Sequence, residues 1–298
     1  LPQSLLLREM AFKQIASIEL LSIISGSIVT LILAIQGHGV WALVWGTLSI
    51  RIVSMMGLNI AKPFFHKPRF IASGMLDFFT FGGYVTLSRI LWYCYISADV
   101  LIVGKILGKD LLGFYSVGVF LANLPMEKVS GLINQVAFPA FSSVCANSGP
   151  DSGVAGNHFL KAIRVLSCIS FPVLWGVSSV SPEIVNIFLG AKWSSAALPV
   201  LIISLIVPVR MVNNLINPTV YGLGHPEISY RNSLAALIIM PIAFLIGSLW
   251  GLLGVSLAWV VGFPIVFWEN MSRLIKILNI HWGDIIQAIY KPFISAFM

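Results

Sequence analysis

The sequence carries very little charge. Only 10% of its 298 residues are Asp, Glu, Lys or Arg, while 58% are hydrophobic and the mean hydropathy is +0.93. Soluble domains carry roughly 25% charged residues, because a surface in contact with water needs them. The composition therefore excludes an ordinary soluble protein and predicts an all-α protein whose helices cross a membrane several times.

The residues and motifs of common enzyme sites are also scarce. The three cysteines have no CxxC-type spacing, and an odd number argues against a disulfide framework. The five histidines are scattered over loops, and no HExxH, GxSxG, Walker A or GxGxxG motif is present. We therefore expect no metal and no cofactor, and a transporter rather than an enzyme.

Long apolar runs are what the sequence has in abundance. A membrane-spanning helix needs about 20 apolar residues, and helix-stopping or charged clusters divide the chain into eight runs of this kind. We predict about eight spans at residues 17–36, 39–60, 79–104, 113–143, 160–181, 196–221, 231–249 and 251–275.

The basic residues predict an orientation for these spans. Eight spans place both ends on one side, and most of the 18 Lys and Arg residues lie on that side. The opposite loops hold only Lys105, Lys109 and Lys192. The positive-inside rule therefore predicts that both ends are cytoplasmic. The net charge of +7 comes mostly from these loops, so it indicates contact with anionic lipid headgroups and not with nucleic acid.

One span carries a polar stripe. Arg210, Asn213, Asn214 and Asn217 lie at offsets of three, four and seven in an apolar segment, which puts their side chains on one face of a helix. A guanidinium and three amides are costly when they face lipid. This face must look into protein or into a water-filled cavity, as in a transport helix.

Three other spans carry similar stripes, so four helices each offer one polar face, as the walls of a shared cavity would. The members are Thr47, Arg51 and Ser54 on the second span, Ser88, Trp92, Tyr95 and Asp99 on the third, with Arg89 and Tyr93 on the adjoining flank, and Asn123, Glu127, Ser130 and Asn134 on the fourth.

Cations outnumber carboxylates among these intramembrane residues. Arginine stays charged and binds phosphate in a bidentate manner, so Arg51, Arg89 and Arg210, with Lys128, predict an anionic or pyrophosphate-bearing substrate. The asparagines Asn123, Asn213, Asn214 and Asn217 complete the predicted lining, and Glu127 and Asp99 are the candidates for ion coupling. The alternative is structural: Glu127 would neutralise Lys128 or a facing arginine, and Asp99 would pair with Lys105.

The order of several short motifs resembles the polysaccharide flippases of the Wzx type, in the multidrug/oligosaccharidyl-lipid/polysaccharide superfamily. The resemblance covers essentially the whole chain and is closest to the colanic acid group. The matching segments are residues 5–13, 39–43, 99–108, 112–116, 124–125, 136–142, 188–193, 199–201 and 223–226.

Such proteins have two six-helix lobes around a central cavity. The resemblance implies that residues 1–66 are the last two helices of the first lobe and that residues 67–278 are the six-helix second lobe. Residues 279–298 would be a cytoplasmic segment and the start of a further helix. We expect the chain to be a fragment that lacks most of the first lobe, since it begins with Leu1 and closes on an apolar run.

The resemblance implies the export of an undecaprenyl-pyrophosphate-linked oligosaccharide across the bacterial inner membrane, for O-antigen, lipopolysaccharide or a related polysaccharide. A polysaccharide polymerase and a chain-length regulator are expected as partners, together with membrane lipids. Two alternatives stay open: a multidrug or organic-ion antiporter of the same fold, which would need a cavity dominated by carboxylates, and a membrane glycosyltransferase or polymerase.

Overall fold

The structure is a computed structural model that describes residues 2, 5–6, 11–63, 75–148 and 154–296. Side chains are described for these residues except 75–78, 130–148, 154 and 295. Helices, joined by short turns, account for nearly all of this part of the chain, and it contains no β-strand. The predicted all-α class is confirmed. The chain divides into two compact units, Leu1–Ala72 and Ser73–Met298.

The first unit is a helical hairpin. Helix α1 (Phe12–Ile35) and helix α2 (Val40–Ala61) are joined by a turn in which Gly37 and Gly39 have positive φ angles of 81° and 53°. The two helices approach closely at Gly26 and Gly46, where an added Cβ on Gly26 would lie 2.9 Å from the Gly46 carbonyl oxygen. Small residues of this kind let membrane helices pack backbone against backbone.

The second unit contains nine α-helices within the described part of the chain. They are α3 (Met75–Ile106), α4 (Lys109–Ser148), α5 (Val154–Ser179), α6 (Ser181–Leu189), α7 (Ala197–Asn214), α8 (Ile216–Gly222), α9 (Pro226–Gly247), α10 (Gly251–Leu278) and α11 (Trp282–Ser295).

Six segments of the described chain are long and apolar enough to cross a membrane. Five of them correspond one to one with predicted spans, and the sixth, Pro226–Leu278, contains both α9 and α10, which were predicted as separate spans. The predicted span at 113–143 falls in α4, which is not among the six; side chains 130–148 lie outside the described residues. A membrane protein with several spanning helices is thus confirmed, and a span in α4 stays a prediction.

Helix α7 is the centre of the second unit. In its span, Ala191–Gly222, 67% of the most apolar stretch is buried, against 33% or less in the other five. It packs against α4, α5 and α10. Trp175 and Ser178 of α5 donate hydrogen bonds to the carbonyl oxygens of Leu205 and Leu201 of α7, at 3.2 and 2.7 Å. Polar residues on α7 are therefore held inside the protein.

The helix that begins as α7 is interrupted at Leu215, and α8 follows directly. Pro218 lies four residues after Asn214, and a proline can neither donate to the carbonyl at i−4 nor fit beside it. The Asn214 carbonyl consequently lacks an α-helical donor at position 218, and the Leu215 N–H donates to the Val212 carbonyl at i−3, 3.1 Å away, next to three of the predicted asparagines.

Helix α11 packs along α5. It begins with a capping box, in which the His281 backbone N–H donates to Asp284 Oδ2 at 2.9 Å. Its buried residues Ile285 and Ala288 lie on one face, and Phe293 contacts Phe171 and Trp175 with ring centroids 5.6 and 5.0 Å apart. Helix α11 therefore lies against the apolar span of α5. The assignment of residues 279–298 to a cytoplasmic segment and the start of a further helix stays a prediction.

Helices α9 and α10 form a hairpin that tolerates no side chain at Gly247 or Gly254, because a Cβ on either residue would collide with the carbonyl of the other. We expect Gly254→Ala to destabilise the protein by about 1–3 kcal/mol, the cost of overpacking. Gly176→Ala on α5 is the control, since a Cβ there meets nothing within 4 Å and alanine favours the helix by about 1 kcal/mol.

Thermal unfolding in detergent measures both effects. The midpoint should fall for Gly254→Ala and stay equal or rise for Gly176→Ala. Equal midpoints for the two variants would show that the helices do not approach each other as closely as the structure has them.

Candidate functional site

A small polar cavity lies beside the break between α7 and α8. Its volume is about 60 Å³, which is room for a few water molecules. Helices α3, α4, α7, α8, α9 and α10 all contribute to it. The lining residues are Trp92, Tyr95, Ile96, Met126, Arg210, Asn213, Asn214, Ile216, Asn217, Asn232, Ser233, Ala236, Phe263, Val266 and Asn270.

All four members of the α7 stripe line this cavity. Arg210 is buried, with 4% of its surface exposed, and Asn213, Asn214 and Asn217 are half-buried. The three asparagines share one side because Leu215, between α7 and α8, keeps helical φ and ψ angles of −71° and −20°, so the helical spacing continues from α7 into α8. The placement of the stripe inside the protein agrees with the cost of exposing it to lipid.

Arg210 is held by an aromatic ring and an amide. Its guanidinium carbon lies 4.1 Å from the centroid of the Trp259 ring, and its Nη1 donates to Asn123 Oδ1 at 2.9 Å. Inserting arginine at the centre of a membrane helix costs about 2.5–3.5 kcal/mol. A desolvated cation–π contact contributes about 2 kcal/mol and a hydrogen bond from a charged group about 1.5–3 kcal/mol. These contacts are of the size needed to retain the charge.

Arg210 has no ion-pair partner within 4 Å among the described residues. A guanidinium has five N–H donors, and one of them is used by Asn123. The cation therefore lines the cavity with most of its hydrogen-bonding capacity still available to a ligand.

A hydrogen-bonded chain fixes the ring beneath Arg210. The Trp259 Nε1–H donates to the Tyr115 hydroxyl at 2.9 Å, and this hydroxyl donates to Asp99 Oδ2 at 2.8 Å. Asp99 Oδ1 accepts a further bond from the Val100 backbone N–H at 2.7 Å. Asp99 is thus buried as the anchor of Tyr115 and Trp259, and the alternative pairing with Lys105 is absent.

The asparagines of the stripe are tied to neighbouring helices. Asn213 Oδ1 accepts from Asn270 Nδ2 of α10 at 3.0 Å, and Asn217 Oδ1 accepts from the Ser229 hydroxyl of α9 at 2.9 Å. The Ser229 hydroxyl is also bonded to that of Tyr221, which reaches Ser88 of α3 at 3.1 Å. The amide oxygens of Asn213 and Asn217 therefore each accept a hydrogen bond from a neighbouring helix, which gives the cavity wall a defined geometry.

Several residues predicted for the cavity lie elsewhere. Arg89, Glu127 and Lys128 are exposed and do not line it. Neither Glu127 nor Lys128 forms an ion pair with a described residue, so the alternative pairing between them is absent as well. Arg51 is exposed in the other unit, on α2. Binding or ion-coupling roles for these residues stay predictions.

Asn123 was predicted to line the cavity. In the structure it is not a lining residue, but it accepts a hydrogen bond from Arg210, which is one. The stripe on α4 was expected to continue through Ser130 and Asn134, whose side chains lie outside the described residues.

Sequence reasoning missed Asn232 and Asn270, which are buried and line the cavity. A weak signal was present for Asn270: it lies seven residues after Phe263 and four after Val266, on the face that lines the cavity, within an otherwise apolar run. Asn232 is the second residue of the predicted span at 231–249 and follows Arg231, at a depth where polar residues are common.

The charge of the cavity is cationic. Among the described residues that line it, Arg210 is the one ionised side chain and none is a carboxylate. The antiporter alternative required carboxylates to outnumber arginine and lysine, so this lining disfavours it. In the part of the chain that the structure describes, no group of three His, Cys, Asp or Glu residues could hold a metal ion.

Tyr115→Phe tests the chain beneath Arg210. It removes one hydroxyl and leaves both the Asp99 carboxylate and the Trp259 N–H without that partner, so we expect a loss of about 2–5 kcal/mol in the free energy of unfolding. Tyr290→Phe on α11 is the matched control, because Tyr290 is 58% exposed. Unfolding in detergent should separate the two variants clearly; equal stability would mean that the buried chain is not formed.

The chain matches a known family and several named proteins. Residues 1–198 match the family described as polysaccharide biosynthesis protein. Teichuronic acid biosynthesis protein TuaB of Bacillus subtilis (strain 168) is 28% identical over 226 residues, covering 74% of this chain and 45% of that protein. Lipopolysaccharide biosynthesis protein WzxC of Escherichia coli (strain K12) is 26% identical over 303 residues, covering 98% of this chain and 59% of that protein.

Succinoglycan biosynthesis transport protein ExoT of Rhizobium meliloti (strain 1021) is 23% identical over 309 residues, covering 99% of this chain and 61% of that protein. The chain thus spans about half to three fifths of the length of these relatives. No solved structure matches it. Because the family match includes well over half of the residues, this chain belongs to the polysaccharide biosynthesis protein family, which confirms its resemblance to the Wzx-type proteins.

Proposed function

We propose that this chain is part of a transporter that moves a lipid-linked oligosaccharide across the bacterial cytoplasmic membrane. The observation that carries the proposal is Arg210: a buried arginine that lines a polar cavity without an ion-pair partner among the described residues. A cation held in this way is available to an anionic ligand.

The chemistry of the cavity fits a phosphate group. Arginine presents donors in a planar fork that matches phosphate oxygens, and a water-excluded site strengthens that interaction. None of the described residues that line the cavity is a carboxylate that would repel an anion. The pyrophosphate of an undecaprenyl-pyrophosphate-linked glycan has the charge that this lining would bind.

The size of the cavity implies movement. About 60 Å³ is enough for a few waters and far too little for a sugar. The substrate would therefore bind to a wider state of the same site, as expected for alternating access. Pro218 supports this, because it removes one backbone hydrogen bond beside the site, and membrane helices bend at such positions.

The relatives support the same assignment. WzxC is named for lipopolysaccharide biosynthesis and ExoT for succinoglycan transport, and each aligns with nearly all of this chain. In this proposal the protein is a transporter and not an enzyme, it resides in the inner membrane with both ends of this segment cytoplasmic, and a polymerase and a chain-length regulator act with it.

The test is Arg210→Gln in the longest open reading frame that contains this chain, expressed in a strain lacking its own flippase. The variant keeps hydrogen-bond donors but loses the charge, so we expect export of surface polysaccharide to fall about 10- to 100-fold. Arg210→Lys keeps the charge but loses the planar fork and should be intermediate.

Arg231→Gln is the control, because Arg231 is exposed on α9 and does not line the cavity. It should export normally. Wild-type export by Arg210→Gln at equal membrane abundance would overturn the proposed role of the cavity.

A further inference from the structure

Two asparagines of the cavity have a buried polar atom with no partner. Asn232 of α9 and Asn270 of α10 are 5% and 4% exposed, and both line the cavity. The Asn232 Nδ2 donor and the Asn270 Oδ1 acceptor form no hydrogen bond among the described residues. Leaving a buried polar atom unpaired costs about 1–3 kcal/mol. We therefore expect a ligand to supply the missing hydrogen bonds of these two atoms.

The other half of each amide is occupied. Asn232 Oδ1 accepts from Arg273 Nη1 at 2.9 Å, and Asn270 Nδ2 donates to Asn213 Oδ1 at 3.0 Å. Arg273 is itself bonded to Glu269 at 2.7 Å, which holds it in place. The surroundings therefore fix both amides, so that one unpaired donor and one unpaired acceptor belong to a single cavity.

The combination of a donor and an acceptor selects the chemistry of the ligand. A fully ionised phosphate only accepts hydrogen bonds, so it would leave the Asn270 oxygen unpaired. A metal cation would be repelled by Arg210 in the same lining. A hydroxyl group both donates and accepts, so its hydrogen-bonding capacity matches an unpaired donor together with an unpaired acceptor.

We propose that Asn232 and Asn270 form a hydroxyl-recognition subsite for the sugar that is attached to the phosphate bound by Arg210. The inference deepens the proposed function and rests on it. Arg210 supplies affinity for the charged group that every such lipid carries, and the two amides distinguish a lipid that carries a sugar from one that does not.

The test measures two dissociation constants with the complete chain in lipid nanodiscs. One probe is undecaprenyl pyrophosphate without a sugar, and the other is the same lipid carrying one glucose, galactose or N-acetylglucosamine. The quantity of interest is the sugar preference, defined as the dissociation constant of the bare lipid divided by that of the glycosylated lipid.

Asn232→Asp is the sharpest variant. It keeps the oxygen that accepts from Arg273 and replaces the unpaired donor with an acceptor, while its added charge affects both lipids and cancels in the preference. Asn270→Leu removes the unpaired acceptor at similar volume. Each should lower the sugar preference about 3- to 10-fold, the value of one hydrogen bond. Asn186→Asp, at an exposed position on α6, should leave the preference unchanged.

Arg210→Gln separates this inference from the proposed function. It should raise the dissociation constants of both lipids by the same factor and leave the sugar preference unchanged. If Arg210→Gln changes neither affinity, the proposed function fails, whereas the subsite is judged on the preference alone.

Two results would overturn the subsite. One is a wild-type preference of one for all three sugars. The other is an unchanged preference in Asn232→Asp and Asn270→Leu, since water alone would then be the partner of the two amides. Asn270→Ala, which also removes the unpaired acceptor, is used for the same measurement if the leucine variant does not elute as a single species.

Discussion

The contact between the Arg210 guanidinium and the face of Trp259 is the interaction on which the site depends. It keeps a positive charge inside an apolar helical unit without using a carboxylate, at 4.1 Å from the ring. A direct ion pair would have neutralised the charge and occupied its donors. The aromatic face stabilises the cation and leaves those donors available, which is the condition for binding an anion.

The rest of the cavity is arranged around that contact. Asp99 acts on this contact indirectly, because it accepts a hydrogen bond from Tyr115, and Tyr115 accepts one from Trp259. The Asp99 carboxylate thus positions the Trp259 ring and does not form an ion pair with Arg210. On the other side, amides from α7, α8, α9 and α10 supply neutral donors and acceptors. In our proposal, different residues of one site recognise the charge and the hydroxyl groups of the ligand.

Part of this site could be predicted from the sequence. The stripe on α7 was found because offsets of three, four and seven place residues on one face of any α-helix, and α7 is the helix that neighbours surround on several sides. The same reasoning placed Arg89, Glu127 and Lys128 in the cavity, where they do not lie. Spacing defines which residues share a face, but it does not say in which direction that face points.

The sequence by itself determined the class of the protein and the existence of a polar face in its most buried span. Both are local properties: the length of an apolar run and the period of a helix. Only the tertiary structure decided the partners of that face, since Trp259, Asn232 and Asn270 are distant in the chain from Arg210 or unremarkable in their own helices. The rotation of each helix about its axis is set by packing against neighbours, and that rotation assigns Asp99 to Tyr115 and leaves Arg210 facing the cavity.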